Sequence, residues 1–136
     1  PPETCSMKKN RIEFLTLAEA IEIHKNQVTL YGGDPGIRDF NLLNSAIYIP
    51  QSTFDGNFLH ADLFNMAAAY IYHVCQNHPF IDGNKRTALA CGLIFLDFNS
   101  IEIDDPSGTL YRMMIKTAEG KMNKNEIAEI LKSLAG

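Results

Sequence analysis

The sequence predicts an all-α protein, a compact single-domain bundle of about six helices around a buried central helix. Helix-capping patterns occur near both ends of the chain, at 16–19 and 123–126. Apolar residues recur with helical spacing in several segments, where a strand would alternate. The stretch 88–98 is apolar on nearly every side apart from Asp97. That pattern is typical of a helix enclosed by others, so this stretch is expected to supply the centre of the bundle.

Each expected helix has a start or stop signal. Thr16 and Glu19 form a capping box in which the hydroxyl and the carboxylate each satisfy a free backbone N–H group. Gly32-Gly33 ends that helix, and Pro106 suits a first helical position. The helices expected in order run from Leu17 to about Tyr31, from Asp39 to Pro50, from about His60 to Asn77, from about Asn84 to Asn99, from Asp105-Pro106, and from Asn123 to about Ala135. Residues 51–59 are interpreted as a loop with a turn at 55–57, and short β segments are possible at 33–38 and 101–103.

Composition narrows the function classes. The net charge is -4 and there is no long basic stretch, which argues against nucleic acid as a partner. The three cysteines, Cys5, Cys75 and Cys91, include no Cys-x-x-Cys pair, and Cys75 and Cys91 lie in apolar stretches and are expected to be buried thiols, which suggests a reducing compartment. No apolar run is long enough to span a bilayer, so a cytoplasmic protein with no membrane partner is expected. Residues 1–10 are interpreted as an N-terminal extension, and residues 11–136 as one domain.

The segment 78–86, His-Pro-Phe-Ile-Asp-Gly-Asn-Lys-Arg, has the chemistry of an anion site. A helix that begins after a glycine-containing turn presents unpaired N–H groups and the positive end of its dipole. Gly83 lets the backbone approach a ligand, and Asn84 can orient an oxygen. Lys85 supplies a point charge, and Arg86 can hold a phosphate with two parallel hydrogen bonds.

Two further side chains complete a reactive set. Asp82 can hold Mg²⁺, which prefers one or two carboxylates together with phosphate oxygens. The imidazole of His78 can accept a proton from a hydroxyl nucleophile near neutral pH. Pro79, through its fixed φ, and Phe80, through insertion into the core, are expected to hold the loop. The combination fits phosphoryl-type transfer, in which positioning and charge stabilisation dominate.

A plainer interpretation stands beside this one. The same stretch makes a good turn between two helices, in which Asp82 or Asn84 caps the second helix and His78 the first. His24 is interpreted as a partly buried residue on the apolar face of its helix, and His60 as a loop or helix-start residue. His73 and His78 are five residues apart, so they do not share a helix face as zinc ligands would.

Residues 78–86 resemble the signature of the Fic/Doc family, His-Pro-Phe-x-(Asp/Glu)-Gly-Asn-Gly-Arg followed two residues later by a second Arg. Thr87-Ala88-Leu89 and the segment 31–39 resemble the Doc (death-on-curing) toxin branch. The resemblance extends from about Phe14 to Leu134. It implies a compact helical fold and the use of ATP and Mg²⁺.

By position, the resemblance implies that His78 is the general base and Asp82 the metal ligand. It implies that Gly83, Asn84 and Lys85 bind phosphate and that Arg86 neutralises it. The chain departs from the adenylylating pattern at Lys85, where most members have Gly, and at Leu89, where they have the second Arg. Doc-type toxins share this Lys, so transfer of the γ-phosphate is favoured, with AMP transfer and a non-catalytic binding module as alternatives.

The same branch implies partners. Its toxins phosphorylate a threonine of elongation factor Tu and are silenced by a small antitoxin whose C-terminal segment folds into a helix on the toxin. Within the chain we find no inhibitory motif of the type Ser/Thr-x-x-x-Glu-Gly/Asn, so a separate antitoxin is expected. Arg38 would lie in a segment that aligns the target protein by strand addition.

Overall fold

Six α-helices and one short hairpin make up the part of the chain that the computed structural model describes, residues 11–136. The expected extension 1–10, with Cys5, lies outside the described residues. In chain order the elements are α1 (Leu17–Tyr31), α2 (Phe40–Tyr48), a 3₁₀ turn (Ile49–Gln51), β1 (Thr53–Phe54), β2 (Asn57–Phe58), α3 (Leu63–Asn77), α4 (Asn84–Phe98), α5 (Thr109–Ala118) and α6 (Lys124–Leu134). The prediction of an all-α bundle is confirmed.

Both capping boxes are present where the sequence predicts them. The hydroxyl of Thr16 accepts a hydrogen bond from the Glu19 N–H at 3.1 Å, and the Glu19 carboxylate accepts one from the Thr16 N–H at 2.8 Å. Asn123 and Glu126 form the equivalent pair at the start of α6. Gly32 ends α1 with φ +85°, a conformation that glycine adopts without steric cost.

Two helix starts were predicted too early. α3 begins at Leu63 and not near His60, because the Asp62 carboxylate caps it by accepting the Asn65 N–H at 2.8 Å. α5 begins at Thr109 and not at Pro106. The carboxylate of Asp105 reaches forward across the intervening turn and accepts the N–H groups of Thr109 and Leu110 at 2.8 and 2.9 Å.

The β structure also lies at positions other than those predicted. Residues 51–59 hold the antiparallel pair β1–β2 where a plain loop was predicted. Its two turn residues, Asp55 and Gly56, both have positive φ (53° and 78°), as a tight hairpin turn requires. At 33–38 and 101–103 only single bridges form, between Ile37 and Phe80 and between Ile103 and Ala135.

The most enclosed helix is α3, not α4 as the apolar run predicted. α3 packs along α4 and also contacts α2, α5 and α6. Its buried residues are Met66, Ala67, Ala68, Ala69, Tyr70, Ile71, Val74 and Cys75. The two long helices meet closely at Gly92, where an added Cβ would lie 2.6 Å from the side chain of Ile71. Among residues 11–136 no helix has the length and apolar character needed to cross a membrane.

Candidate active site

The loop that joins α3 to α4, residues 78–83, begins with a residue in an unusual conformation. His78 has φ +50° and ψ +53°, the left-handed region that few residues other than glycine enter. The Arg38 guanidinium holds the end of α3 there. Its Nε donates to the His78 carbonyl at 2.6 Å and its Nη2 to the Asn77 carbonyl at 2.9 Å. Arg38 therefore satisfies carbonyl groups that the end of a helix leaves free.

Residues 33–39, which we call the flap, pair with this loop through the backbone. The N–H groups of Arg38 and Asp39 both donate to the Pro79 carbonyl, at 2.7 and 3.0 Å. In return the Ile81 N–H donates to the Gly36 carbonyl at 3.0 Å. These hydrogen bonds join the flap and the loop at a single antiparallel bridge, between Ile37 and Phe80.

Asp82 is tied to the flap through its side chain. Its Oδ2 accepts the Asp34 N–H at 2.8 Å, and the carboxylate is exposed. It forms no ion pair with any residue in the described range 11–136. An exposed carboxylate with one oxygen in a single hydrogen bond retains lone pairs for a cation.

Asn84 is buried, with 5% of its surface exposed, and its side chain is committed to the loop. Its Oδ1 accepts the Phe80 N–H at 3.0 Å, and its Nδ2 donates to the Phe80 carbonyl at 2.8 Å. The side-chain amide is therefore occupied, and the predicted binding of phosphate by Asn84 would have to use its backbone N–H group. Phe80 is fully buried and Pro79 is buried, as expected for residues that anchor the loop.

The first turn of α4 has the features of an anion site. Gly83 has φ +80°, and no side chain from the described part of the protein caps the helix. Lys85 and Arg86 are exposed on this turn. The Nη2 of Arg86 donates to the Gly32 carbonyl at 3.1 Å, and its guanidinium carbon lies 5.1 Å from the centre of the Tyr31 ring. These contacts restrain the side chain and leave other guanidinium donors free.

A cleft of about 520 Å³ opens over this turn. Its lining residues are Cys75, His78, Ile81, Asp82, Gly83, Asn84, Lys85, Arg86 and Ala118. The structure thus brings together the predicted base, metal ligand and phosphate-binding residues. Arg38, Pro79 and Phe80 do not line the cleft. Arg38 bonds to the end of α3, and Pro79 and Phe80 are buried within the loop itself.

Sequence reasoning missed three residues of this region. His24, interpreted only as a helix-face residue, is 1% exposed and lies 2.8 Å from the Asp82 carbonyl through its Nε2 atom. Asp34 supplies the N–H that holds Asp82. Cys75, predicted to be a buried thiol, borders the cleft, and burial raises its pKa against the opposing effect of Lys85. The lone histidine on an apolar stripe was the available signal for His24, but it fits a core residue equally well.

Comparison with known proteins gives consistent matches. A sequence model of the Fic/DOC family matches residues 14–96, a range that contains α1, the flap and the cleft loop. The chain is 32% identical over 118 residues to "Protein kinase doc" of Escherichia phage P1, which covers 87% of this chain and 92% of that protein. It is 38% identical over 73 residues to "Toxin Doc" of Mycolicibacterium smegmatis, which covers 54% of this chain and 56% of that protein.

Proposed function

The chain belongs to the Fic/Doc family, and we propose on that premise that it is a Doc-like toxin enzyme that transfers a phosphate from ATP to a Ser or Thr hydroxyl of a target protein. The observation that carries the proposal is the shared cleft. His78, Asp82 and the uncapped start of α4 with Lys85 and Arg86 border one cavity. Phosphoryl transfer needs a base, a cation site and a phosphate cradle within one such space.

The residues present fit a nucleotide with magnesium. The first N–H groups of α4 and the side chains of Lys85 and Arg86 would hold the phosphates. Asp82 would hold Mg²⁺, which commonly takes one or two protein carboxylates and completes its shell with phosphate oxygens and water. When bound, the ion neutralises charge on the phosphate oxygens.

The chain's own residues supply the rest of the reaction. The His78 imidazole takes the proton of the target hydroxyl as the hydroxyl oxygen bonds to the γ-phosphorus, while the bond from that phosphorus to the bridging oxygen breaks and ADP leaves. Lys85 and Arg86 stabilise negative charge on the phosphate groups through the transfer. The flap holds the backbone around His78 and Asp82, so the base and the cation site keep a fixed separation.

Lys85 favours phosphate transfer over AMP transfer. Its exposed side chain borders the cleft, where the adenylylating pattern has a glycine without a side chain. An ammonium group there occupies part of the anion cradle and adds charge next to the phosphates, which changes the phosphates that can lie at the helix start. Transfer of AMP is the second candidate, supported by the remainder of the motif.

The relatives suggest the partners. One is named a protein kinase and the other a toxin. We propose that the target is elongation factor Tu, phosphorylated on a threonine. We propose that the inhibitor is a small antitoxin, which is a separate protein chain. Both proposals rest on the resemblance to the Doc branch, and His78 in the cleft is the candidate base for the hydroxyl of such a target.

A double-label assay tests the proposal. The purified chain is incubated with elongation factor Tu and with ATP labelled at either the γ or the α phosphate. We expect γ label on the target. His78→Ala and Asp82→Ala should each lower the transfer rate by about 10²–10⁴-fold, because a general base or a bound cation is lost.

Asp97→Ala is a matched control for these variants, since Asp97 is an exposed carboxylate near the opposite end of α4. It should transfer label at the parent rate. Label that reaches the target only from the α position would assign AMP transfer instead. ATP binding with neither label transferred would contradict the enzyme proposal and indicate a non-catalytic binding module.

A further inference from the structure

We propose that His24 is a positioning residue that fixes Asp82 for cation binding, by holding the backbone of the cleft loop from α1. His24 is 1% exposed and does not border the cleft, so it acts only through the loop residues that it touches. The inference rests on the proposed function, because it assigns a role in binding the nucleotide-bound metal.

The hydrogen bond from His24 fixes which ring nitrogen carries a proton. Nε2 lies 2.8 Å from the carbonyl oxygen of Asp82. A carbonyl oxygen can only accept, so Nε2 must carry the proton. The bond joins residues that are 58 positions apart in the chain, and it connects the middle of α1 directly to the loop.

The His24 ring makes a second contact with the same loop. It stacks on Phe80 with the ring centres 3.7 Å apart and the planes within 5°. Its Cδ2 and Nε2 atoms also face Gly83, since a Cβ added there would lie 3.8 Å from both. One side chain therefore contacts two of the four residues 80–83, Phe80 and Asp82, and faces a third. A fully buried imidazole stacked in this way has little freedom to rotate.

Asp82 is consequently held at two points by two different elements. α1 holds its carbonyl through His24, and the flap holds its carboxylate through the Asp34 N–H at 2.8 Å. With both ends restrained, the carboxylate oxygen needs little reorganisation to bind a cation. Removal of a group that orients a metal ligand in this way typically lowers the metal affinity by about 10–100-fold.

The test measures cation binding directly. Mn²⁺ binding to the purified chain in the presence of a non-hydrolysable ATP analogue is followed by electron paramagnetic resonance. His24→Phe keeps an aromatic ring for the stack and removes the N–H donor. We expect it to unfold cooperatively like the parent and to bind Mn²⁺ about 10–100-fold more weakly.

His24→Gln restores an N–H donor without the ring and should recover most of the affinity lost in His24→Phe. Asp82→Asn serves as the reference for loss of the ligand itself. A folded His24→Phe protein with parental Mn²⁺ affinity would overturn the proposal. A parent protein that binds no Mn²⁺ with the nucleotide would instead refute the proposed function.

A second measurement does not depend on any variant folding. Nitrogen NMR of the imidazoles in the parent should show His24 as the Nε2–H tautomer, with a proton that exchanges slowly with solvent. The opposite tautomer would leave Asp82 without its donor and would overturn the inference whatever the variants do.

Discussion

His78 shows how a single residue's backbone serves the site. Its left-handed conformation turns the chain sharply from α3 into the loop, and such conformations persist only where neighbouring groups hold them. Arg38 provides that restraint through two hydrogen bonds to the end of α3. Strand addition of a target segment beside Arg38 stays a prediction, and it would have to use backbone groups other than the Arg38 N–H, which donates to the Pro79 carbonyl.

Asn84 provides a prediction at the same scale. Asn84→Ala removes both hydrogen bonds to Phe80 and leaves a buried N–H and a buried carbonyl without partners. Each such group costs roughly 1–3 kcal/mol. Allowing for relaxation of the loop, we expect the free energy of unfolding to fall by about 2–4 kcal/mol in urea titrations, with loss of nucleotide binding.

Asn41→Ala is the control for Asn84→Ala, because Asn41 is an exposed asparagine near the start of α2. Its free energy of unfolding should stay within about 0.5 kcal/mol of the parent. If Asn84→Ala were equally neutral, the side-chain amide would not be what holds the loop. The side chain of Asn84 would then again be a candidate for binding phosphate.

The sequence alone could predict that the residues of the motif share one site, because they lie within a single segment of nine residues. His78, Asp82, Lys85 and Arg86 were each chosen for a charge or a proton, and all four border the cleft. His24 could not be assigned in the same way. Its role depends on a contact across 58 positions, which no local pattern encodes.

Helix boundaries follow the same division between local and distant signals. The boxes at Thr16 and Asn123 lie within four residues, and both were located from the sequence. Asp105 caps α5 from four positions upstream, so the pattern of Pro106 at a first position was misleading. The hydrogen bonds from Leu110 and Thr109 also hold the pKa of the Asp105 carboxyl below its usual value.

The packing of α3 on α4 yields a prediction at the scale of elements. Alanine is about 1 kcal/mol more favourable than glycine within a helix, so Gly92→Ala would stabilise an isolated α4. In the folded protein the added Cβ meets Ile71 at 2.6 Å and the Ala67 carbonyl at 3.2 Å. Ile71 is fully buried, so its side chain has little room to move aside. We therefore expect a net loss of about 1–3 kcal/mol in the free energy of unfolding.

A double-mutant cycle separates this steric cause from others. Ile71→Ala alone should destabilise by about 2–5 kcal/mol through the cavity it creates. Combined with Gly92→Ala, the loss should be smaller than the sum, because the new methyl group moves into that cavity. Strictly additive losses in urea unfolding would show that the two helices do not touch at this point.

At the scale of the whole molecule, a cluster of basic side chains connects the last helix to the bundle. Lys124 at the start of α6 lies 3.0 Å from His73 on α3 and 3.2 Å from His60 in the segment before α3, through its Nζ and their Nε2 atoms. No local sequence pattern groups these residues, since they are 13 to 64 positions apart. The cluster borders a second cavity of about 600 Å³.

Burial, Lys124 and His60, in that order, lower the pKa of His73 to about 4. Burial and Lys124 also lower the pKa of His60. An unfolded histidine titrates near pH 6.5, so between about pH 6.5 and 4 the unfolded chain binds more protons than the folded one. The contribution of these neutral histidines to the free energy of unfolding is therefore complete above about pH 6.5, and it declines as the pH falls toward 4.

Urea unfolding at a series of pH values between 7.5 and 4, at constant ionic strength, measures this decline. His73→Gln keeps an oxygen that can accept from Lys124 but cannot titrate, so its free energy of unfolding should fall less steeply over this window. His60 would account for part of the slope that remains. Because protonation of His73 places a second positive charge 3.0 Å from Lys124, the decline should appear as weakened attachment of α6 to α3. Parallel curves for the parent and His73→Gln would exclude this cluster as the source of acid sensitivity.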